Sequence, residues 1–223
     1  MVCPRTSVGD YRDAPVTHFV SLIDPDEVGK ELPLPRSTER ILQLVFSDID
    51  DIEIQLPKFK NYTPPREKDV QHLVEFGRTL AQGDDWGLLA HCEAGISRST
   101  AAAITMLTAA GYPPQVAFGI VRKVCPDMLP NRRILRLADE VLGTRGILHR
   151  MGENHRRKAF DRAGYEDPTD VLYSEFKAQS GKRPSFLSRL LSALPSGWRN
   201  MVGSGARQRA IIEKKRSMSS GRK

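Results

Sequence analysis

The stretch Leu88-Leu89-Ala90-His91-Cys92-Glu93-Ala94-Gly95-Ile96-Ser97-Arg98-Ser99-Thr100 constrains the fold of this chain more than any other. Gly87 to His91 is a short apolar run bounded by Gly87 and the charged loop Gly83-Asp84-Asp85, and it reads as a buried strand. Ser99 to Ala110 is rich in alanine and other apolar residues and reads as a buried helix. The turn between them is therefore a strand-to-helix loop. Such a loop aims consecutive backbone N–H groups and the positive end of the helix dipole at one point, which suits a phosphate or another oxyanion.

The side chains on that loop carry chemistry as well. A cysteine at a helix N-terminus beside a cation ionises well below the roughly 8.5 of a free thiol, which would make Cys92 a nucleophile at neutral pH. Arg98, six residues on, can curl back over the loop and grip two phosphate oxygens with its planar fork. Gly95 lets the backbone turn tightly, and the Ser99 hydroxyl lies close enough to the sulfur in sequence to stabilise a thiolate and ease its departure.

His91-Cys92 followed by five residues and then Arg98-Ser99 resembles the signature of the cysteine-dependent protein tyrosine phosphatases, and looks most like their compact dual-specificity branch. Phe46-Ser47-Asp48-Ile49 upstream and Pro130-Asn131-Arg132-Arg133 downstream extend the resemblance to proteobacterial phosphatase-like proteins, over roughly residues 15–145. The resemblance implies that Cys92 is the nucleophile, that Glu93, Ala94, Gly95, Ile96, Ser97 and Arg98 bind phosphate, and that His91 and Asn131 support the loop from behind. For Asn131 a second role, as the cap of the helix that follows, is compatible with the first.

A thiolate that attacks a phosphomonoester must expel an alkoxide or phenoxide, so a carboxylic acid is needed to protonate the leaving oxygen. Ser47-Asp48-Ile49-Asp50-Asp51 places three carboxylates in four residues directly after an apolar strand. By resemblance Asp48 is the best match to the acid, followed by Asp51 and then Asp50. The polar, proline-containing run from Ile52 to Pro65 reads as a long loop, so the acid is expected on a segment able to close over substrate.

Elsewhere the pattern is that of an α/β layer protein. Val16 to Ile23 and Glu39 to Phe46 read as strands, and residues 1–14 as a loosely held segment or an edge strand. A helix opened by Pro64 and Pro65, with Thr63 as a candidate cap, runs to Leu80. Two more cover Gln115–Val124 and Arg132–Leu142, the last closed by Gly143. The expected fold is a central, mostly parallel sheet of four or five strands flanked by helices, with the Cys92 loop at the carboxyl end of its strand.

Three scattered cysteines, Cys3, Cys92 and Cys125, give no disulfide framework and suit a reducing compartment. The absence of an apolar signal run or membrane-length segment adds to the expectation of a cytoplasmic protein. The five histidines show no metal-ligand spacing, and the chemistry calls for no metal or other cofactor. Charge is unevenly spread: residues 1–150 carry 18 basic and 20 acidic side chains, net −2, whereas residues 151–223 carry 16 and 7, net +9. A catalytic domain over 1–150 and a basic extension over 151–223 are therefore expected, the extension with one amphipathic helix near 185–202 and a disordered tail. Such an extension would suit an acidic partner, an anionic membrane surface or nucleic acid.

These features point to two-step hydrolysis of a phosphomonoester through a cysteinyl-phosphate, on a phosphorylated protein substrate. Glu93 at the rim would repel additional phosphates, which favours a single phosphomonoester such as phosphotyrosine and leaves phosphoserine and phosphothreonine open. The alternatives are an inactive adaptor that uses the same bowl to hold phosphate, and a phosphatase of a non-protein phosphomonoester.

Overall fold

A computed structural model describes residues 1–31, 34–82, 85–168, 171 and 174. The chain divides into two units, Met1–Ala159 and Phe160–Lys223. The helix expected near 185–202 and the tail beyond it lie outside the described residues.

Four parallel strands form the sheet: β1 (Val2–Pro4), β2 (His18–Ile23), β3 (Arg40–Val45) and β4 (Leu88–Cys92), in the order β1-β4-β2-β3. The three longer strands fall where the apolar runs predict them. β1 realises the edge-strand alternative for the N-terminal segment, and its register sets Cys3 opposite His91 and Pro4 opposite Cys92.

Among the described residues five α-helices are defined: α1 (Glu67–Leu80), α2 (Arg98–Ala109), α3 (Pro114–Val124), α4 (Arg132–Leu142) and α5 (Ile147–Ala163). Alternation along the strands sorts the core into two clusters. Val20, Leu22, Leu88, Ala90 and Cys92 join a large cluster with residues of the helices, among them Leu73, Ile104, Met106, Ile134 and Leu148. Phe19 and Leu89 point the other way, to Cys3, Val8 and Val16, where the turn Arg5–Tyr11 covers the sheet. Full burial of side chains such as Ile104 and Met106 contributes about 1.5–3 kcal/mol each. α1 and α2 approach so closely that a Cβ on Gly77 would lie 2.6 Å from the Met106 carbonyl oxygen.

Three local expectations change. α1 starts at Glu67, and its entry is closed by Asp69, whose Oδ2 accepts from Arg66 N at 2.8 Å; the Thr63 carbonyl instead accepts from Ser47 N at 2.7 Å. The run from Ile52 to Pro65 is not an open loop, because two 3-10 turns, Glu53–Gln55 and Pro57–Phe59, fold it back and bury Leu56 and Phe59. α5 runs through residue 150, where the sequence places the start of the extension. Its charged residues pack through specific partners: His155 Nε2 lies 3.0 Å from the Met128 carbonyl, and Glu153 pairs with Arg132. The α5 N-terminus is held by the buried Asp139, which accepts from the amides of Leu148 and His149 at 2.9 and 2.8 Å.

Candidate active site

β4 ends on Cys92 and α2 begins on Arg98, so residues 93–97 form the whole connection. Gly95 makes it possible, with φ of +72° and a backbone so close to β1 that a Cβ would come within 2.4 Å of the Cys3 carbonyl carbon and of Pro4 N. The loop's carbonyls turn outward to protein donors. Arg5 N donates to Glu93 O at 3.2 Å, Cys125 Sγ lies 3.7 Å from Gly95 O, Leu129 N donates to Ile96 O at 2.8 Å, and Asn131 N donates to Ser97 O at 3.3 Å. Among the described residues, the amides of Glu93, Ala94, Gly95, Ile96 and Ser97 donate to no protein acceptor. Carbonyls satisfied from outside and amides without a protein acceptor are the arrangement that suits an anion, and α2 adds its N-terminal dipole. Ser97, the N-cap of α2, makes no capping bond with its side chain.

Cys92 is fully buried at the floor of the loop, and its Sγ lies 3.2 Å from Ser99 Oγ. Arg98 is fully buried too. Its Nη1 donates to the Phe46 carbonyl at 2.7 Å and its Nη2 to Asp24 Oδ2 at 2.7 Å, while Nε has no protein partner. Burial opposes the guanidinium's charge, but Asp48, Cys92 and Asp24 outweigh it and hold the proton more tightly than usual. A buried donor without an acceptor is costly unless a ligand supplies one.

His91 faces away from the loop. Its Nε2 lies 2.9 Å from Ser21 Oγ and its ring stacks on Phe19 with centroids 5.4 Å apart, so it braces the strand beneath Cys92. Burial, reinforced by the charges of Arg5 and Arg98, takes its imidazole down to about 4.

The three aspartates after β3 separate by their partners. Asp48 turns to the loop: its Oδ1 accepts from Ser97 Oγ at 2.7 Å and from Asn131 Nδ2 at 2.8 Å. Asp50 is spent on the backbone, its Oδ1 accepting from the amides of Ile52 and Glu53 at 3.0 and 3.1 Å. Asp51 is held by Arg133 and Arg136; burial alone would push its carboxyl up, but the hydrogen bonds and charges of Arg136 and Arg133 prevail and keep it below the usual carboxylate range. Asn131 makes contacts on two sides. Its Oδ1 accepts from Ile134 N at 3.0 Å, capping α4, and its side-chain amide braces Asp48 while its main chain braces the loop.

Asp24 was not among the residues singled out from the sequence. It follows the last residue of β2, and the signal that points to it is position alone, at the carboxyl end of a parallel strand where ligand sites gather.

No protein-family model matches the chain, and no curated protein matches it. Among solved structures it is similar to the human tyrosine phosphatase-like serine/threonine/tyrosine-interacting protein, at 20% identity over 65% of this chain and 91% of that one, with a TM-score of 0.46. It is also similar to human DUSP28, at 16% identity over 64% of this chain and 87% of that one, with a TM-score of 0.45. What the site can do is carried by its own geometry.

Proposed function

We propose that the chain is a cysteine-dependent phosphomonoester hydrolase of the protein tyrosine phosphatase superfamily, with a dual-specificity-like site. One observation carries this reading. The Cys92 sulfur sits within reach of Ser99 in a loop with five amides that donate to no protein acceptor, beside an arginine whose buried Nε has no protein partner. Thiol, donors and cation together suit a phosphoryl group approached in line by sulfur.

In the first step the Cys92 thiolate forms a bond to phosphorus as the bond to the ester oxygen breaks, and Asp48 gives that oxygen its proton. In the second, the Asp48 carboxylate takes a proton from water as the water oxygen attacks phosphorus. The sulfur leaves as thiolate, eased by the Ser99 hydroxyl, and inorganic phosphate is released. The loop amides and Arg98 stabilise the charge on the non-bridging oxygens throughout. Asp48 is favoured over its neighbours because it bonds to Ser97 of the loop, whereas Asp50 serves the backbone and Asp51 is locked between two arginines. Glu93 at the loop's edge disfavours a second phosphate, so the substrate assigned is a singly phosphorylated protein side chain.

Turnover of p-nitrophenyl phosphate in EDTA, by wild type and Cys92→Ser in parallel, tests the proposal. Metal-independent hydrolysis lost in the serine variant, with phosphate-ester binding retained, is the expected result. Folded wild-type protein with no turnover above Cys92→Ser would leave only a phosphate-binding adaptor.

A further inference from the structure

β3 closes one side of the sheet, and the outer half of its backbone is unspent. In the parallel ladder with β2 the even-numbered residues of β3 bond inward: Arg40 N donates to the Thr17 carbonyl and Phe46 N to the Ile23 carbonyl, both at 3.0 Å, with Leu42 and Leu44 in phase between them. Ile41, Gln43 and Val45 therefore direct both N–H and C=O away from β2, and among the described residues no group bonds to them. Leu42 and Leu44 pack on the large core cluster, so the odd-numbered side chains stand on the opposite face, where Ile41 is 54% exposed and Val45 39%. Proteins blunt such an edge with lysine, proline, a bulge or a covering segment. Arg40–Val45 contains no lysine and no proline, its register with β2 runs without a skipped residue, and its one charge, Arg40, lies at the end.

We propose that β3 pairs with β3 of a second copy of this chain, antiparallel about a two-fold axis at Gln43, so that the two four-stranded sheets run on as one. Parity makes the edge self-complementary. Antiparallel bonding joins alternate residues in pairs that exchange both N–H···O bonds. An axis at Gln43 sets Gln43 against the partner's Gln43 and Ile41 against the partner's Val45, so every outward group of the strand is used and no inward bond is disturbed. On the open face Ile41 and the partner's Val45 form a cross-strand pair of β-branched side chains, a combination that favours a ladder. Charge agrees with the same axis: Glu39 and Arg40 fall opposite the partner's Ser47 and Phe46, so no like charges face each other. A strand of six residues is a short interface, whereas permanent dimers bury above roughly 2,000 Å². The association is therefore reversible, with a Kd of about 1–100 µM.

Gln43→Pro tests the pairing directly. The Gln43 amide points outward, so proline removes the central donor of the edge and sets its ring there, while the ladder to β2 keeps its bonds. Ile41→Lys places a charge on the open face, again without touching the ladder. Sedimentation equilibrium over a range of concentrations is read together with amide hydrogen exchange by NMR. Wild type should approach twice the chain mass as concentration rises, and the amides of Ile41, Gln43 and Val45 should gain protection in step with the dimer fraction. Each substitution should weaken association at least about tenfold, with the fold retained by circular dichroism. Ile41→Lys is read alone if the proline variant does not fold.

Wild type that stays monomeric up to about 1 mM would overturn the proposal. A dimer whose affinity neither substitution changes would overturn it too, by placing the contact elsewhere on the surface. Protection of the three amides that does not depend on concentration would mean that a segment of the same chain covers the edge, and the second copy would be ruled out.

Discussion

Ser97 and Asp48, 49 positions apart, are joined by a hydrogen bond of 2.7 Å from the Ser97 hydroxyl to Asp48 Oδ1. The bond ties the loop proposed to hold the phosphate to the carboxyl group assigned to the leaving oxygen. Asn131 donates to the same oxygen, so Oδ1 accepts from both the loop and the start of α4. Asp48→Asn should therefore cost about 10²–10⁴ in kcat/KM on phenyl phosphate and far less on p-nitrophenyl phosphate, whose leaving group needs little protonation. A series of substituted phenyl phosphates measures the difference. An equal loss across the series would remove the acid role from Asp48.

Asp51→Asn should leave that leaving-group dependence unchanged. Its carboxylate bridges Arg133 and Arg136 with its side chain 37% exposed, so its worth is that of a partly screened surface pair, about 0.5–1 kcal/mol. Urea unfolding at low and high salt measures this, and the gap between wild type and variant should narrow as salt is raised.

These neighbouring aspartates show where sequence stops being legible. Asp48, Asp50 and Asp51 look alike as a run of acids, and only the donors that meet them, Ser97 and Asn131, the Ile52 and Glu53 amides, or two arginines, tell them apart. Strands β2 to β4 and helices α2 to α4 were readable because apolar runs and their Gly and Pro boundaries are local signals. The strand-loop-helix around Cys92 was readable because its parts lie within a few residues. Asp24 was not, since it meets Arg98 from 74 positions away and has no local signature. α5 was hidden for a different reason. Its buried side is Leu148, Gly152, His155 and Arg156, with Gly152 so close to Leu135 that a Cβ would lie 2.6 Å from Cδ1, so of these four only Leu148 is a large apolar residue.

His91 makes stability sensitive to acid. Its folded-state value of about 4 lies below the ordinary 6.5, so the unfolded chain binds the proton more readily. The associated stability is fully present above about pH 6.5 and is lost as pH falls toward 4, by roughly 3 kcal/mol. Urea titrations between pH 4 and 7 should show this slope in wild type, and His91→Gln should flatten it whatever its effect on absolute stability.

Gly95→Ala should fail twice over. The +72° φ is strained for any residue with a Cβ, and that atom would strike the backbone of Cys3 and Pro4 at 2.4 Å. Strain and overpacking together amount to about 2–5 kcal/mol. Thermal unfolding should register the loss, and any protein that remains folded should have little turnover because the amides no longer converge.

The strand order β1-β4-β2-β3 bears on how the molecule can come into being. The strand that carries the nucleophile is the third long one to leave the ribosome, yet it must slide between two strands made before it, pairing with β1 on one side and β2 on the other. Parallel pairings of such wide sequence separation close late, because their loop entropy is met before their contacts form. A half-folded molecule therefore lacks the folded connection between β4 and α2 until its interior strand is home. The Cys92 loop and the interior of the sheet are completed in one event.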